Sequence, residues 1–294
     1  MERIEGVLNL TRADDAGLLP QTPVLLDSPH SGTAYPEDFG TAVDLDLLQC
    51  MEDAFVDRLF GAGPEKGASL LVAEFPRSYI DPNRASDDLD WRLMNSAWPG
   101  NLKPTEKTRL GHGLIWRTCP GEKPMYERLL TVSEVQARIE NYWKPYHEAL
   151  EGELARLFSL FGGVWHVNCH SMPAASSPFV AGAVGGRRAD IVLGDRDGRS
   201  CHPAFTAFVR EWFEARGYKV RVNNPYKGAE LVRVCGQPEF NRHSLQVEIN
   251  RAIYMDEQKL VPTRNFGALQ RDLTQLISDI CGFALSECHQ AAAE

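Results

Sequence analysis

Short apolar runs separated by amphipathic segments constrain the fold of this chain more than any other feature. The apolar runs have the length of buried strands and span residues 22–28, 68–75, 163–167, 190–193, 219–222 and 244–249. Apolar residues at helical spacing predict helices over residues 45–60, 132–158, 203–216 and 265–283, with a break at Pro145 in the second. This alternation predicts an α/β fold, in which a sheet is layered with helices.

We predict a single domain over residues 1–294. No linker rich in Pro, Ser or Gly and no shift in composition divides the chain. The sequence is 43% hydrophobic and 24% charged, which is typical of an ordinary globular protein. An α/β domain of this length can bury a large core without a second domain.

The balance of charge argues against a nucleic-acid or membrane partner. The chain carries 31 Lys and Arg against 40 Asp and Glu, a formal net charge of -9, and its basic residues are scattered. Nucleic acids and anionic membranes are usually bound by a basic stripe, which this pattern does not provide. If the substrate is an anion, a few arginines near the site must attract it against the overall field.

Cysteine usage and the N-terminal residues predict a cytoplasmic protein. The seven cysteines form no CxxC pair and are typical of reduced thiols. Residues 1–10 lack the basic and then apolar pattern of a signal peptide. No apolar run approaches the roughly 18 residues that a membrane span needs. The sequence is compatible with a homo-oligomer.

Polar clusters follow several of the predicted strands, at residues 29–32, 77–84, 170–172 and 248–251. In open α/β sheets, ligands bind at the carboxyl ends of the strands. We therefore expect these clusters to converge on one site. The sequence contains no dinucleotide-binding loop, Walker loop or GxSxG nucleophile motif that would indicate another chemistry.

Two histidines in similar settings indicate a metal site. His30 and His170 are each followed by a serine, where a strand is predicted to run into a loop. A hydrolytic metal site needs about three protein ligands and one open position for water. The third ligand stays open between Glu52 and Asp53, since adjacent residues on the predicted helix point about 100° apart and only one can face the site. We interpret the remaining histidines as structural and expect His166 to point away from His170. They are His112, His147, His166, His202, His243 and His289.

The ordered set of polar motifs resembles the N-formylglutamate amidohydrolase family over about residues 20–260. The motifs are SPHSG at 28–32, DPNR at 81–84, CHSM at 169–172, NPYKG at 224–228 and LQVEINR at 245–251. That family is related to the zinc carboxypeptidases and aspartoacylases. The resemblance therefore implies a zinc-carboxypeptidase-like α/β fold, with a mixed sheet, helices on both faces, and a site for zinc or another divalent metal at the strand ends.

The resemblance also implies roles for individual residues. It assigns His30, Asp53 and His170 as metal ligands, prefers Asp53 to Glu52, and makes Glu248 the general base. The HxxE spacing of the carboxypeptidases is absent after His30. The implied chemistry is hydrolysis in which the metal polarises an acyl carbonyl and activates a water, while Glu248 takes the water proton and delivers it to the leaving amine. From the residues alone, Glu248 is equally compatible with a structural ion pair to Arg251.

The implied substrate is a small N-acyl amino acid such as N-formyl-L-glutamate, whose carboxylates call for planar cations. We favour Arg84 as a substrate-binding residue, because the turn at Asp81-Pro82-Asn83 would aim its side chain. The asparagine at position 223 or 224 could add a neutral hydrogen bond. The full set of candidate substrate-binding residues is Arg84, Arg77, Asn83, Arg117, Asn224, Lys227, Arg233 and Arg251.

Two departures from the family pattern bear on the substrate. Ala229-Glu230 follows the Lys-Gly pair, where many members have a glycine and a histidine, and Cys235 replaces a frequent tyrosine. An added carboxylate is expected to repel a glutamate side chain, which weakens the assignment to N-formylglutamate but not the assignment to amide hydrolysis. Two alternatives stay open: a zinc-dependent peptidase or deacylase with another substrate, and a non-catalytic carboxylate-binding protein.

Overall fold

A mixed sheet of eight strands lies at the centre of the protein in the computed structural model, which describes residues 2–16, 20–174 and 189–291. The strands are β1 (Glu2–Ile4), β2 (Leu8–Thr11), β3 (Val24–Ser28), β4 (Ser69–Ala73), β5 (Val164–Met172), β6 (Ile191–Gly194), β7 (Val220–Val222) and β8 (Arg242–Asn250). Their order across the sheet is β1-β2-β4-β3-β5-β8-β6-β7. Two small hairpins lie outside the sheet, Thr118–Cys119 with Lys123–Pro124 and Met255–Asp256 with Val261–Pro262.

The α-helices connect and cover these strands. They are α1 (Ala13–Ala16), α2 (Leu45–Gln49), α3 (Val56–Leu59), α4 (Glu106–Arg109), α5 (Val132–Arg138), α6 (Lys144–Phe161), α7 (Pro203–Glu214), α8 (Glu230–Cys235) and α9 (Phe266–Ala291). Short 3₁₀ turns occupy Glu37–Phe39, Pro64–Lys66, Trp91–Leu93, Pro238–Phe240 and Arg251–Ile253.

Four neighbouring strands in the middle of the sheet, β4, β3, β5 and β8, are parallel and end at the same edge. In the parallel register Glu248 lies opposite His170 and Asp27 lies opposite Asn168. Strand β6 runs antiparallel to β8, and β2 runs antiparallel to β4. Because carboxyl ends of parallel strands meet at one edge, polar residues at the ends of these strands come together.

Helices pack on both faces of the sheet, because successive side chains of a strand point to opposite faces. Trp165, Val167 and Cys169 of β5 enter one apolar core, together with residues of α7 and α9. Val164 enters the other core, together with residues of α5, α6 and α8. The predicted α/β fold with a mixed sheet and helices on both faces is confirmed.

The predicted helix over residues 45–60 is wrong in its middle. Helix α2 ends at Gln49, α3 begins at Val56, and Phe55 adopts a left-handed conformation with φ 66°. In the non-helical segment between them, the backbone N–H of Asp53 donates to the carbonyl of His30 at 3.0 Å. This tertiary hydrogen bond turns the Asp53 side chain toward the strand ends, which a continuous helix would not do.

Pro145 does not break the helical segment in which it lies. A π-helical stretch, Ile139–Trp143, joins α5 to α6, and Pro145 occupies the first turn of α6. Pro145 lacks the N–H that would continue the helical hydrogen-bond pattern, and the π-helical turn directly before it accommodates the changed pattern.

The predicted strands over 163–167 and 244–249 are longer in the structure. Strand β5 continues to Met172, so that His170 lies within a strand and not in a loop, and β8 extends from Arg242 to Asn250 and contains Glu248, as predicted. All seven cysteines are free thiols. In the described part of the chain, no helix has both the length and the apolar character that crossing a membrane requires.

We predict that Thr131→Ala lowers the free energy of unfolding by about 1 kcal/mol, because it removes a helix cap. The Thr131 side chain accepts from the backbone N–H of Glu134 at the start of α5, and the Glu134 carboxylate accepts from the Thr131 backbone N–H. Asp44 precedes α2 without making a side-chain cap hydrogen bond, so Asp44→Ala is the matched control. Equal losses for both variants in urea unfolding would contradict the prediction.

Candidate active site

His30, Asp53 and His170 form a buried cluster at the carboxyl edge of the parallel strands. His30 lies two residues beyond the end of β3, His170 lies on β5, and Asp53 lies between α2 and α3. One ligand atom from each of the three side chains can be chosen so that all lie within 4.8 Å of one another. Asp53 Oδ2 is 2.9 Å from His170 Nδ1 and 3.5 Å from His30 Nδ1. This geometry could hold a metal ion.

The other ring nitrogen of each histidine contacts an oxygen acceptor. His30 Nε2 lies 2.7 Å from Asp81 Oδ1, and His170 Nε2 lies 2.7 Å from Asn168 Oδ1. With protons on these Nε2 atoms, the Nδ1 atoms would present lone pairs to a bound metal ion. His30 Nδ1 is buried and has no hydrogen-bond partner in the described structure. A buried nitrogen lone pair beside a second imidazole and a carboxylate matches the donor set of catalytic zinc sites.

The acceptors of these histidines are themselves held in a buried polar network. Asn168 Nδ2 donates to Asp27 Oδ1 at 2.6 Å, and the Tyr146 hydroxyl donates to Asp27 Oδ2 at 3.2 Å. His166 Nε2 lies 3.1 Å from Asp27 Oδ1, and His166 Nδ1 lies 2.8 Å from Ser244 Oγ. The network fixes the orientation of Asn168 and, through it, of His170.

The expectation that His166 points away from His170 is wrong. Residues an even number apart on a strand share a face, so His166, Asn168 and His170 all project from the same side of β5. Burial lowers the pKa of His166, but Cys235 and Asp27 outweigh it and raise this pKa to about 10. We interpret His166 as structural. It supports the cluster because it contacts Asp27, which in turn holds Asn168.

Asp53 carries the negative charge of the cluster. Burial acts to raise its pKa, but the hydrogen bond with His170, the adjacent imidazole of His30 and the charge of Arg77 hold the pKa well below its usual value. Arg251 Nη2 lies 3.1 Å from Asp53 Oδ1, and Arg77 Nη1 lies 3.5 Å from the same oxygen. Asp53 is therefore ionised across the physiological pH range.

Glu52 is not part of the cluster. Its carboxylate accepts a hydrogen bond from the Tyr35 hydroxyl, and burial raises its pKa to about 8. Both candidates for the third ligand lie in the non-helical segment, where Asp53 is directed toward the histidines and Glu52 toward Tyr35. Of the two, the structure places Asp53 with His30 and His170.

Glu248 lies beside the cluster, opposite His170 in the register of β5 and β8. Gln246 Nε2 donates to Glu248 Oε1 at 2.8 Å, and burial raises the pKa of Glu248. In the described structure Glu248 makes no ion pair with Arg251. That arginine donates to Ser171 Oγ, to the carbonyls of Cys50 and Glu52, and to Asp53.

Three of the candidate substrate-binding residues lie against the cluster. Arg77 Nη2 is 3.2 Å from Asp81 Oδ2, so its charge is shared between Asp81 and Asp53. The side-chain oxygen of Asn83, Oδ1, accepts from the backbone N–H of Leu231 at 2.9 Å, and Asn83 Nδ2 lies 3.2 Å from His170 Nε2. Arg84 donates only to backbone carbonyls, those of His112 and Asn83, and has no carboxylate partner among the described residues. Among these three residues, Arg84 is therefore the cation whose charge is not paired with a carboxylate of the described protein.

Four of the remaining candidates are not brought into the cluster. Arg117 pairs with Asp90 at 2.7 Å, Lys227 with Asp197 at 2.9 Å and Arg233 with Glu230 at 2.6 Å. Asn224 is exposed, and within residues 20–174 and 189–291 no side-chain contact joins it to the cluster. Arg251 is the exception, because its Nη2 lies 3.1 Å from Asp53 Oδ1.

Sequence reasoning missed the supporting residues Asp27, Asp81 and Asn168. The sequence indicates Asp81 only as part of a turn, although its carboxylate also accepts a hydrogen bond from Trp116 Nε1 at 3.4 Å. A period-two pattern of buried polar residues, His166, Asn168 and His170, was present in the sequence and indicates a polar stripe on one strand face.

An α/β sheet with two histidines and an aspartate clustered at the ends of its parallel strands has the architecture and donor set of a metal-dependent hydrolase. The model of the N-formylglutamate amidohydrolase family matches residues 22–255. An N-formylglutamate deformylase of Pseudomonas aeruginosa is 33% identical over 246 residues, which cover 81% of this chain and 84% of the relative. The chain belongs to the N-formylglutamate amidohydrolase family.

Two further relatives agree. An N-formylglutamate deformylase of Pseudomonas putida is 28% identical, covering 80% of this chain and 82% of the relative. The crystal structure of an N-formylglutamate amidohydrolase from Ralstonia eutropha JMP134 is similar with a TM-score of 0.86 and 44% identity, covering 95% of this chain and 98% of that one.

We predict that Arg251→Met lowers the free energy of unfolding of the metal-free protein by about 3–5 kcal/mol, because it leaves a buried carboxylate without its partner. The Arg251 and Asp53 side chains are only 7% and 2% exposed. Arg264 is exposed, so Arg264→Met serves as the control in chemical denaturation. A loss below 1 kcal/mol for Arg251→Met would show that the ion pair does not stabilise the fold in this way.

Proposed function

We propose that this protein hydrolyses the amide of N-formyl-L-glutamate to formate and L-glutamate, with a divalent metal ion, preferably zinc, as cofactor. The observation that carries the proposal is the cluster of His30, Asp53 and His170, in which His30 Nδ1 is buried without a partner. The reaction and substrate are supported by the names of the relatives from Pseudomonas aeruginosa and Pseudomonas putida. The free cysteines support the proposal that the enzyme works in the cytoplasm.

His30, His170 and Asp53 would hold the ion, the histidines through Nδ1. Asp81 and Asn168 would keep the Nε2 protons in place, so that both imidazoles present lone pairs to the ion. When bound, the ion polarises the acyl carbonyl and lowers the pKa of a water toward about 7. Three protein ligands leave one coordination position for water and substrate.

Glu248 is the proposed general base. It lies next to the cluster on β8 and is held by Gln246. Burial raises its pKa, which brings the carboxylate closer to the range in which it can accept a proton from water and then donate it. The proton leaves the attacking water, rests on Glu248, and passes to the amide nitrogen as the C–N bond breaks.

Arg84 is the proposed partner of the substrate α-carboxylate. Its Nε and Nη1 atoms are fixed by the carbonyls of His112 and Asn83, which leaves its remaining donors for a carboxylate. Arg77 lies between Asp53 and Asp81 and would offset the negative charge that develops on the acyl oxygen.

Glu230 does not oppose a glutamate substrate as the sequence suggested. Both of its carboxylate oxygens accept from Arg233, at 2.6 and 2.7 Å, so its charge is compensated. This pairing supports N-formylglutamate as the substrate despite the departure from the family pattern.

We predict that the purified protein binds about one zinc-like ion per chain and that His170→Ala loses both this ion and formate release. His289 is exposed on α9, and His289→Ala should behave like the parent protein. Metal content is measured by atomic emission after dialysis, and formate by a coupled assay. Stoichiometric metal in His170→Ala would remove His170 from the site, and unchanged binding in Asp53→Ala would point to Glu52.

We predict that Glu248→Gln lowers the rate of formate release by roughly 10²-fold or more, because glutamine cannot accept the water proton. The metal content of the variant should stay that of the parent, since a base is not a ligand. Metal lost together with activity would make Glu248 a ligand. A near-normal rate with metal in place would assign it a structural role.

A further inference from the structure

A second cation without a partner lies on the chain segment that packs against Arg84. Lys107 is in α4, and its carbonyl accepts from the backbone N–H of His112 at 2.8 Å. The His112 carbonyl accepts in turn from Arg84 Nε at 3.0 Å. These two hydrogen bonds place Lys107 one short loop away from the proposed α-carboxylate site.

The same loop reaches the metal-binding cluster through aromatic contacts. The His112 ring lies 4.7 Å from the Trp116 ring, between centroids. Trp116 Nε1 donates to Asp81 Oδ2, and the Arg77 guanidinium lies 5.1 Å from the Trp116 ring. His112 and Trp116 therefore lie beside the cluster, and Lys107 is an exposed residue of the short helix α4 next to them.

The charges around this loop are unbalanced. Lys103, four residues before Lys107, pairs with Asp87 at 2.8 Å. Lys107 has no carboxylate partner among the described residues. The surrounding protein and the like charges of Arg84 and Arg77 lower the pKa of the Lys107 ammonium group.

His112 does not relieve this excess of positive charge, but it can assist an anion. Burial, followed by the charges of Arg77 and Lys107, lowers the pKa of His112 to about 4, so that its ring is neutral at physiological pH. A neutral imidazole can donate one hydrogen bond to a carboxylate. Its ring nitrogens make no hydrogen bond within the described structure.

We propose that Lys107 binds the side-chain carboxylate of the substrate and so makes the enzyme select N-acyl derivatives of acidic amino acids. The inference rests on the proposed function, in which Arg84 takes the α-carboxylate. A dicarboxylate then needs a second cation, and Lys107 is the unpaired one whose segment adjoins Arg84. Two neighbouring like charges cost free energy in the free protein, and a bound dianion offsets that cost.

The test compares N-formyl-L-glutamate with N-formyl-L-glutamine, which has the same shape and a neutral side chain. In Lys107→Met, kcat/KM for N-formyl-L-glutamate should fall about 10- to 100-fold, mainly through KM, as expected for the loss of a hydrogen bond between charged groups. The value for N-formyl-L-glutamine should change much less. Lys107→Arg should restore most of the preference, and the control Lys103→Met should leave it as in the parent.

Equal losses for both substrates, or no loss for either, would overturn the assignment of Lys107. If the parent protein releases formate from neither compound, the proposed function fails, and calorimetric binding then decides the role of Lys107 separately. Weaker binding of N-formyl-L-glutamate to Lys107→Met than to the parent would support the carboxylate subsite. Equal binding would overturn it.

Discussion

A single buried negative charge, that of Asp53, holds the active-site region together. An ionised carboxylate is costly to bury unless cations and hydrogen-bond donors surround it. Here the partners are His30, His170, Arg77 and Arg251, which come from four separate parts of the chain. The Asp53 carboxylate therefore connects four parts of the chain, which are the ends of β3 and β5, the loop after β4 and the turn after β8. The arrangement of side chains that could bind a metal ion therefore also stabilises this region of the fold.

The second requirement is a strand face that is polar although it is buried. Asp27, His166 and Asn168 lie under the cluster on the face that packs against α6 and α8, where an apolar residue would pack more simply. Buried polar groups are tolerated when their network is satisfied, and a satisfied network fixes orientation. What the protein gains is a defined position for the His170 proton at Nε2, because Asn168 is held by Asp27 and presents its oxygen to the ring. The buried polar network lowers the stability of the core and fixes His170 in the orientation in which it could bind a metal ion.

Six of the eight strands were predictable because they are short apolar runs, whereas β1 and β2 were missed, and the convergence of His30 and His170 followed from parallel strand ends. Asp53 was chosen over Glu52 only through the family resemblance, since its direction depends on a hydrogen bond to the His30 carbonyl that local pattern does not encode. The extension of β5 through His170 was missed for a related reason. Polar residues at a strand end look like a loop in sequence, whereas pairing with β8 as far as Met172 makes the extended conformation favourable.

The arginines show most clearly where sequence reasoning ends and three-dimensional pairing begins. Motif position made Arg84, Arg117 and Arg233 candidates for an anionic substrate, and only the turn before Arg84 favoured one of them. In the structure, Arg117 and Arg233 face acidic partners within hydrogen-bond distance, and such a cation has already given most of its electrostatic attraction to the protein. Arg84 has not, and neither has Lys107, although no motif drew attention to it. In a protein whose net charge is -9, an anion is attracted by local cations that lack internal partners, and not by the count of basic residues. In the proposed function, Arg84 and Lys107, which lack carboxylate partners among the described residues, therefore select the substrate, and motif position alone does not.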